Sequence, residues 1–569
     1  MASVHMAELE RRVQSWLRLD PDESTADALR RAWDGDRASV ERAFSGRLQF
    51  GTAGLRGMYG FGPMGMNRLV IQQTTAGLAL WLQRNVAGTA RVVIGYDARR
   101  LSDVFASDAA SVLEAAGIQV FLFESVTTTP CCAFHVLQQG AHAGIMVTAS
   151  HNPPEYNGFK VYAVNGAQIV SPADTEIAAC IEEAAARSSQ TGQVAAEPRA
   201  GGSVTLMGAD ATRSYLDAVK HALEFRLAAT DEFARADLKI VYTAMHGTGA
   251  HQTLALLSET GFDQVTSVAS QQKPDGSFPT VRFPNPEEPA ALAEALLDCQ
   301  RVGADILLAN DPDADRLAVA VFHDGEWVHL NGDEIGCLLA GDLLAHSIVE
   351  QPLVATTIVS SRMLSAIARS WGADFAQTLT GFKWIANAAM DFSARTGRSF
   401  LFGYEEAIGF TVGETVRDKD GVSAALAVAL VAAKCKDRGL TLVDELDALR
   451  AEHGIYLTGQ VSFPTTEPLA DRWRAQPPTS CGGVAVQHVF DLSAPAAAPY
   501  DGLPASDVMI LHLADDSRLV LRPSGTEPKV KLYLEVVERA DAHDSLDEAM
   551  DVARGRLTAL KEAARALVG

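Results

Sequence analysis

Short apolar runs alternate with helical patterns through the middle of the chain. RVVIGYD (91–97) and QVFLFE (119–124) predict buried strands, and residues 102–116 between them predict a helix that ends before Gly117. LKIVYTAMHGTG (238–249) repeats this order as a strand and a glycine-rich turn. Further strands are predicted in AGIMVTAS (143–150), ADILLAND (304–311), LAVAVF (317–322), PLVATTIVSS (352–361) and SFLFGYEEAIGF (399–410). Strands that alternate with helices indicate right-handed βαβ units and largely parallel sheets.

The two ends of the chain depart from this pattern. Residues 6–47 are polar, with apolar side chains at helical spacing, which predicts an N-terminal helical extension. RLVLRPSGTEPKVKLYLEVV (518–537) predicts a strand, a loop and a strand, and residues 544–567 predict a long helix. These elements indicate a smaller C-terminal α+β domain. Residues 185–205 are rich in Ala, Ser, Gly and Gln, which is typical of a linker.

Composition narrows the class of protein. The chain has 569 residues, which suggests about four domains. Its 48 basic and 71 acidic side chains give a net charge of −23, which argues against binding to nucleic acid or to an anionic membrane. We find no apolar stretch long enough to cross a bilayer and no signal peptide. The seven cysteines, an odd number without paired motifs, favour reduced thiols in the cytoplasm.

The first candidate motif is TASHNPPEYNGFK (148–160), in which Ser150 follows a predicted strand. Open α/β sheets carry their reactive groups at the carboxyl ends of strands. The motif lacks the G-x-S-x-G turn of hydrolases, so an acyl-transfer triad is disfavoured. The residues alone also allow a simple turn in which Ser150 caps backbone groups.

The second motif is NDPDADR (310–316), with Asp311, Asp313 and Asp315 at every second position. In an extended chain these carboxylates would point to one side, and they would repel one another unless a cation lay among them. Such hard oxygen ligands suit Mg²⁺, whereas an EF-hand is disfavoured because its glycine and terminal glutamate are missing. A solvated acidic turn is the alternative.

Two further loops carry polar groups in a compact arrangement. GYEEAIGF (403–410) places Glu405 and Glu406 where they suit hydrogen bonding to vicinal sugar hydroxyls, although an exposed hairpin turn is the alternative. RPSGTEPK (522–529) indicates an oxyanion cradle, with a hairpin that bears surface charges as the alternative. The donors of the cradle are Arg522, Ser524, Thr526, Lys529 and the backbone around Gly525. Two other basic candidates are Arg56 in FGTAGLRG (50–57) and Lys383 in TGFKW (380–384).

Together these motifs resemble the α-D-phosphohexomutase family, in an order and spacing that cover residues 48–537. The N-terminal extension, AMHGTG (244–249) and DKDGVSAA (418–425) are similar to its phosphoglucomutase and phosphopentomutase branch. The resemblance implies an α/β protein of three related α/β domains with mixed, largely parallel sheets, and a smaller C-terminal α+β domain with an antiparallel sheet, around a central cleft. The expected segments are a helical extension (1–47), a phosphoserine-loop domain (48–205), a metal-loop domain (206–326), a sugar-recognition domain (327–450) and a phosphate-binding domain (451–569).

The resemblance also implies a role for each candidate residue. The implied catalytic residues are Ser150, which would carry a phosphoryl group, Lys160, which would assist proton transfer, His151 and Arg56. The implied Mg²⁺ ligands are Ser150, Asp311, Asp313 and Asp315. The implied substrate-binding residues are Arg316, Lys383, Glu405, Glu406, Arg522, Ser524, Gly525, Thr526 and Lys529. Within this last set, the loop 522–529 would hold the phosphate that does not react.

The implied activity is that of a phosphoglucomutase, which interconverts α-D-glucose 1-phosphate and glucose 6-phosphate through a phosphoserine and a glucose 1,6-bisphosphate intermediate. Phosphomannomutase, phosphopentomutase and glucose 1,6-bisphosphate synthase stay open as alternatives, because Ala407 replaces a serine that many family members place in the sugar loop. A catalytically silent sugar-phosphate-binding protein is disfavoured, because Ser150, Lys160 and the three aspartates are all present. We expect small sugar phosphates as partners, and a cytoplasmic monomer or small homo-oligomer.

Overall fold

The computed structural model of the protein describes residues 2–51, 54–194, 199–464, 469–523 and 529–568. The chain forms two compact units, each built from three segments. The first unit contains Met1–Leu223, Lys239–Ala318 and Thr415–Leu426. The second unit contains Glu224–Leu238, Val319–Glu414 and Ala427–Gly569. Residues that are far apart in the sequence therefore meet within each unit.

Three helices form the predicted N-terminal extension. They are α1 (Ala2–Leu19), α2 (Glu23–Gly35) and α3 (Arg37–Ala43). Asp22 precedes α2 and Asp36 precedes α3, and each carboxylate accepts a backbone N–H of the first helical turn. Leu9, Val13 and Trp16 of α1 recur at helical spacing and are buried in the core of the first unit.

A six-stranded mixed sheet follows in the first unit. Its strands are β1 (Leu55–Met58), β2 (Arg91–Tyr96), β3 (Gln119–Phe123), β4 (Ala143–Val147), β5 (Tyr156–Ala163) and β6 (Ser203–Met207). Its helices are α4 (Arg68–Asn85), α5 (Ser102–Ala115), α6 (Thr129–Gln138), α7 (Ala173–Thr191) and α8 (Ala209–Ala222). In the order β1-β5-β4-β2-β3-β6, the strands from β4 to β6 are parallel, and β5 is antiparallel to both β1 and β4. β4, buried at every position, leads into the serine motif.

The linker predicted at residues 185–205 is wrong in part. α7 continues to Thr191 and buries Ala185 and Ser188, while β6 begins at Ser203 and pairs with β3. The helix ends at Gly192, whose φ of 75° is left-handed. The alanines at the start of this stretch belong to α7, in agreement with the high helix propensity of alanine.

The segment Lys239–Ala318 adds three parallel strands to the first unit. Before it, the second unit contains α9 (Glu224–Ala229) and α10 (Glu232–Asp237). The strands are β7 (Lys239–Thr243), β8 (Gln264–Ser267) and β9 (Ile306–Asn310), in the order β9-β7-β8. The helices are α11 (Gly249–Glu259), the 3₁₀ turn Pro289–Leu292 and α12 (Ala293–Val302). β9 is buried throughout and leads into the acidic motif.

The second unit contains a four-stranded mixed sheet. Two strands come before this sheet in the sequence: β10 (Leu317–His323), which begins in the first unit, and β11 (Glu326–Leu330). The strands of the sheet and the helices around them are α13 (Gly332–His346), β12 (Leu353–Thr357), α14 (Met363–Ser370), β13 (Asp374–Thr378), α15 (Phe382–Thr396), β14 (Phe400–Glu405) and β15 (Gly409–Val412). In the order β13-β12-β14-β15, only the pair β14 and β15 is antiparallel. The segment then continues with α16 (Gly421–Asp437), which also begins in the first unit, and α17 (Leu442–His453).

A six-stranded antiparallel sheet completes the second unit. Its elements are β16 (Ile455–Pro464), α18 (Leu469–Ala475), β17 (Ser480–Cys481), β18 (Val484–Asp491), β19 (Met509–Leu513), β20 (Arg518–Pro523), β21 (Lys529–Glu538), the 3₁₀ turn Ala540–Ala542 and α19 (Leu546–Val568). The strand order is β16-β21-β20-β19-β18-β17. The predicted fold class, α/β with an antiparallel C-terminal sheet, is therefore confirmed.

All seven cysteines are free and buried. Within the part of the chain that the structure describes, no helix has both the length and the apolar character that a membrane span requires.

Gly77 offers a test of the close packing between α4 and α7. We predict that Gly77→Ala lowers the free energy of unfolding by about 1–3 kcal/mol, because the added Cβ would lie 2.5 Å from Ile181 Cα. Gly555→Ala is the matched control, because Gly555 of α19 has open space around it and alanine is the better helix former by up to about 1 kcal/mol. Thermal unfolding should therefore shift in opposite directions for the two variants, and an unchanged melting temperature for Gly77→Ala would contradict the packing.

Candidate active site

Ser150 lies in a sharp turn between β4 and β5 of the first unit. Its φ of 51° is left-handed, which is uncommon for a residue other than glycine. The Ser150 N–H donates to Thr148 Oγ1 at 2.9 Å, and the serine is buried. The surrounding structure therefore holds the Ser150 backbone in a conformation that a serine rarely adopts, and so fixes the position of its hydroxyl.

The three aspartates follow β9 in a turn, not in the extended chain that their spacing suggested. Ala314 N donates to Asp311 O at 2.9 Å, and Ala314 has a left-handed φ of 55°. The turn still brings one carboxylate oxygen from each of Asp311, Asp313 and Asp315 within 4.8 Å of the others. All three side chains are buried. The carboxylates converge as predicted, but the local conformation that brings them together is different.

The serine turn and the aspartate turn meet at the Ser150 hydroxyl. Ser150 Oγ donates a hydrogen bond of 2.7 Å to Asp311 Oδ2. His151 Nδ1 lies 3.3 Å from the same serine oxygen. Burial, and then the charges of Arg316 and Arg56, lower the pKa of His151 well below its usual value, so this imidazole is neutral near pH 7. Ser150 therefore sits between a carboxyl group and a neutral ring.

Two lysines bring positive charge to the cluster. Lys160 of β5 is buried, and its Nζ donates to Asp313 Oδ2 at 2.7 Å and to Asp315 Oδ2 at 2.8 Å. Burial alone would lower the pKa of Lys160, but the two carboxylates outweigh burial and raise it. Lys419 Nζ lies 3.3 Å from Asp315 Oδ2. Lys160 is therefore an ammonium group that is held by two carboxylates.

The pKa values of the three aspartates shift in different directions. Burial, and then Asp313 and Asp315, raise the pKa of Asp311 well above its usual value. Burial also acts to raise the pKa of Asp313 and Asp315, but Lys160 helps to outweigh it and both pKa values are lowered. The lysines thus compensate two carboxylates well and the third poorly.

The cluster fits a divalent cation. Asp313 Oδ1 and Asp315 Oδ1 are buried and accept no hydrogen bond from the described residues. Buried oxygens without a donor are costly, and a hard cation such as Mg²⁺ takes carboxylate oxygens as ligands. Asp311, Asp313 and Asp315 could therefore hold a metal ion.

The other candidates of the first unit lie beside the two turns. Arg56 Nη1 donates to Asn152 Oδ1 in the serine turn at 3.0 Å, and its side chain is exposed. Arg316 N donates to Asp311 Oδ1 at 3.1 Å, and its guanidinium lies 3.1 Å from Glu287 Oε2. The structure thus places these two arginines around the serine and the carboxylates.

The predicted sugar loop lies in the second unit. Glu405 ends β14, and its Oε1 accepts the Gly381 N–H at 2.7 Å; Lys383 follows in the first turn of α15. Glu406 Oε2 accepts a hydrogen bond from Ser360 Oγ at 3.2 Å. Burial, and then the charge of Glu405, raise the pKa of Glu406 to about 7. Glu406 is therefore ionised only in part near neutral pH.

The predicted phosphate loop joins β20 and β21 of the same unit. Arg522 lies near the end of β20, and Lys529 begins β21. Ser524, Gly525 and Thr526 lie outside the described residues. Burial, and then the charge of Glu406, raise the pKa of Tyr533, whereas the charge of Arg522 acts to lower it. Tyr533 of β21 is therefore close enough to Glu406 and Arg522 to feel both charges.

Two contacts of the aspartates were not predicted from the sequence. Lys419 belongs to the DKDG sequence, which resembled a family segment, but only the fold brings it to Asp315. Thr129 begins α6, and its Oγ1 donates to Asp313 Oδ2 at 2.6 Å. No motif or spacing marks Thr129, because its contact depends on how α6 packs.

We predict that Mg²⁺ raises the melting temperature of EDTA-treated protein, because a cation bound to the folded aspartate cluster stabilises the native state. Asp313→Asn should reduce this increase, since it removes the charge of one candidate ligand. Asp342→Asn is the control, because Asp342 is a buried carboxylate that pairs with Arg226 in the second unit. An equal Mg²⁺ response in wild type and Asp313→Asn would contradict the site.

Comparison with known proteins agrees with this arrangement. Four models of the phosphoglucomutase/phosphomannomutase family match the chain: α/β/α domain I at residues 47–188, domain II at 213–325, domain III at 331–450 and the C-terminal domain at 507–552. A putative phosphomannomutase from Thermus thermophilus has a solved structure that aligns with a TM-score of 0.68 and 22% identity, over 92% of this chain and 99% of its own.

Three relatives are similar over nearly their whole length. A probable phosphomannomutase of Haemophilus influenzae is 40% identical over 83% of this chain and 93% of its own. The human phosphopentomutase is 35% identical over 93% and 92%, and the human glucose 1,6-bisphosphate synthase is 33% identical over 95% and 91%. The chain therefore belongs to the phosphoglucomutase/phosphomannomutase family, whose phosphomutases are isomerases that transfer phosphate intramolecularly.

Proposed function

We propose that this enzyme interconverts α-D-glucose 1-phosphate and glucose 6-phosphate, with Ser150 as the carrier of the phosphoryl group. The observation that carries the proposal is the 2.7 Å hydrogen bond from Ser150 Oγ to Asp311, inside a buried cluster of three carboxylates. A fixed hydroxyl beside a site suited to a divalent cation matches the needs of phosphoryl transfer, which depends on positioning and charge compensation. The proposed cofactors are Mg²⁺ and glucose 1,6-bisphosphate.

The proposed cycle begins with a phosphate on Ser150. The free hydroxyl of the sugar phosphate attacks this phosphorus and the bond from phosphorus to Ser150 Oγ breaks. A 1,6-bisphosphate forms, and the proton lost by the attacking hydroxyl is balanced by the proton that Ser150 Oγ takes up as it leaves. The bisphosphate turns over, and its other phosphate returns to Ser150, so that phosphate has moved between C1 and C6 of the sugar. After its phosphate has left, Ser150 Oγ carries a proton again and donates the hydrogen bond to Asp311 that is described above.

Charge compensation is the main physical demand of this cycle. A phosphoserine carries about −1.5 to −2 charges near pH 7, and the ionised aspartates add to it. Mg²⁺ held by Asp311, Asp313 and Asp315 together with the Ser150 phosphate would offset negative charge on the transferring group. Lys160, which contacts two of the aspartates, keeps further positive charge beside them. We also assign it the role of assisting proton transfer.

We assign the remaining candidates to substrate binding and support of the reaction. Arg56, His151 and Arg316 lie beside Ser150 or Asp311 and are proposed to contact the transferring phosphate. Glu405 and Glu406 are proposed to bind sugar hydroxyls. The phosphate that does not react is assigned to Arg522, Ser524, Gly525, Thr526 and Lys529, with Lys383 as a further basic contact.

Relatives favour three other candidate activities with the same chemistry. The human phosphopentomutase and the probable phosphomannomutase of Haemophilus influenzae support a different sugar. The human glucose 1,6-bisphosphate synthase supports release of the intermediate as product. Ala407 in the sugar loop provides no hydroxyl, so selection of the sugar would depend on neighbouring groups such as Glu406.

A substrate panel separates these activities. Glucose, mannose and ribose 1-phosphates should be assayed with and without glucose 1,6-bisphosphate. We expect the highest kcat/KM for glucose 1-phosphate, and activation by the bisphosphate. A higher kcat/KM for ribose or mannose 1-phosphate would assign the enzyme to that sugar instead, and net accumulation of bisphosphate would identify a synthase.

Ser150→Ala tests the phosphoryl carrier. We predict that this variant loses mutase activity by at least about a thousandfold, because the nucleophile is removed. It should also take up no label from ³²P-labelled glucose 1,6-bisphosphate. Ser188→Ala is the control, because Ser188 is a buried serine of α7 whose hydroxyl donates to the backbone of its own helix. Wild-type activity in Ser150→Ala would refute the assignment.

Glu406 gives the reaction a predicted pH dependence. Its carboxylate lies within hydrogen-bond distance of the Thr357 and Ser360 hydroxyls, and its pKa is raised to about 7 in the substrate-free protein. We expect kcat/KM to rise with pH through about 7, because deprotonation creates the better acceptor for a sugar hydroxyl. In the Glu406→Gln variant, the rise of kcat/KM near pH 7 should be absent.

Glu414→Gln provides the control for this pH profile. Glu414 is an exposed carboxylate that accepts hydrogen bonds from Ser393 Oγ and Phe400 N. Its variant should keep the wild-type dependence on pH. If kcat/KM of Glu406→Gln also rises with pH near 7, Glu406 is not the group whose titration controls this rise.

A further inference from the structure

Arg99 lies beneath the serine turn and makes an unusual set of contacts with its backbone. The arginine is 3% exposed. Its Nη2 donates to the carbonyl oxygens of Ser150 and Asn152. Its Nη1 donates to Pro153 O at 2.8 Å and to Tyr156 O at 3.1 Å. One guanidinium therefore binds the backbone at both ends of the segment between β4 and β5.

These contacts can be made only by a forked group with several donors. A guanidinium presents five N–H donors in a rigid plane, whereas an ammonium group has three donors around one atom. Four carbonyls spread over the segment from Ser150 to Tyr156 therefore require the two terminal nitrogens of an arginine. In this conformation of the turn, which includes the left-handed φ of 51° at Ser150, the four carbonyls converge on Arg99.

Asp97 holds Arg99 in place through an ion pair and a backbone hydrogen bond. Arg99 Nε lies 3.3 Å from Asp97 Oδ2, and the Arg99 N–H donates to Asp97 Oδ1 at 2.9 Å. Ser102 Oγ donates to the same Asp97 Oδ1 at 2.7 Å. Asp97 and Arg99 follow β2, the strand beside β4 in the sheet. The buried charge therefore has a partner, and its position follows from the sheet.

The segment around Gly276 and Phe278, which precedes α12, packs against Arg99. The Phe278 ring centre lies 4.9 Å from the guanidinium carbon of Arg99. A Cβ added at Gly276 would lie 2.5 Å from Arg99 Cα, so this backbone is in close contact with the arginine. Arg99 thus contacts both the serine turn and the part of the chain that contributes the aspartates.

We propose that Arg99 is a positioning residue for phosphoryl transfer, which sets the Ser150 hydroxyl against Asp311 by binding the backbone of the serine turn. The inference rests on the proposed role of Ser150 as phosphoryl carrier. The contacts of the Arg99 side chain with Ser150 are to its carbonyl, so its effect passes through the Ser150 backbone. A displacement of about 1 Å in a reacting group can cost about a hundredfold in rate, and the four carbonyl contacts limit such a displacement.

The test compares Arg99→Lys with Arg226→Lys. Arg226 is 1% exposed and forms a bidentate pair with Asp342 in the second unit, so its variant also replaces a buried guanidinium by an ammonium group. Both variants should lower the melting temperature. We expect Arg99→Lys to lower kcat for glucose 1-phosphate by about a hundredfold, with KM changed by less than about threefold. Arg226→Lys should keep the wild-type kcat.

A second readout follows the phosphoserine. Intact-mass measurement after incubation with glucose 1,6-bisphosphate reports how fast Ser150 gains its phosphate. Arg99→Lys should gain it far more slowly than wild type and Arg226→Lys. Wild-type kcat and phosphorylation rate in folded Arg99→Lys would overturn the inference while leaving the role of Ser150 intact. An active Ser150→Ala variant, in contrast, would refute the proposed function itself.

If Arg99→Lys does not fold, Phe278→Leu carries the test. This change removes the ring that packs on the guanidinium and so allows the guanidinium to shift relative to the four carbonyls. We expect kcat to fall by about three- to tenfold with KM unchanged, in line with the strength of a cation–π contact. An unchanged kcat and an unchanged phosphorylation rate in Phe278→Leu would overturn the inference.

Discussion

Three buried carboxylates within 4.8 Å of one another set the main constraint on the first unit. Negative charges this close in a protein interior are unfavourable unless positive charge is brought to them. Lys160 contacts two of the aspartates, and Lys419 contacts one. Two carboxylate oxygens still accept no hydrogen bond from the described residues. The cluster therefore requires the lysines and is still suited to a cation. The Ser150 hydroxyl donates to Asp311 and so lies directly beside this charged cluster.

The groups around the cluster come from separate parts of the chain. Ser150 follows β4, Lys160 lies in β5, and the aspartates follow β9. Lys419 comes from the segment Thr415–Leu426, whose neighbours in sequence belong to the second unit. Asp418 accepts the Tyr162 hydroxyl at 2.9 Å, and Asp420 accepts the Tyr215 hydroxyl at 2.7 Å. Buried hydrogen bonds thus hold this segment in the first unit, and the charge balance of the site depends on them.

Much of this could be read from the sequence because the relevant signals are local. Alternation of apolar runs and helical patterns predicted the strands and helices around Ser150 and the aspartates, since side-chain periodicity reflects burial within one element. The residue types at 150, 160 and 311–315 also indicated the chemistry. The linker predicted at residues 185–205 was wrong in part, because alanine-rich composition does not distinguish a packed helix such as α7 from a loop.

The sequence by itself determined which side chains can react and which elements carry them. Only the tertiary structure decided that the aspartates converge through a turn at Ala314, that Lys419 and Thr129 complete their surroundings, and that Arg99 holds the serine turn. Most of these contacts join residues that lie far apart in the sequence. Their geometry depends on how sheets and helices pack, and no local preference of the chain specifies that packing.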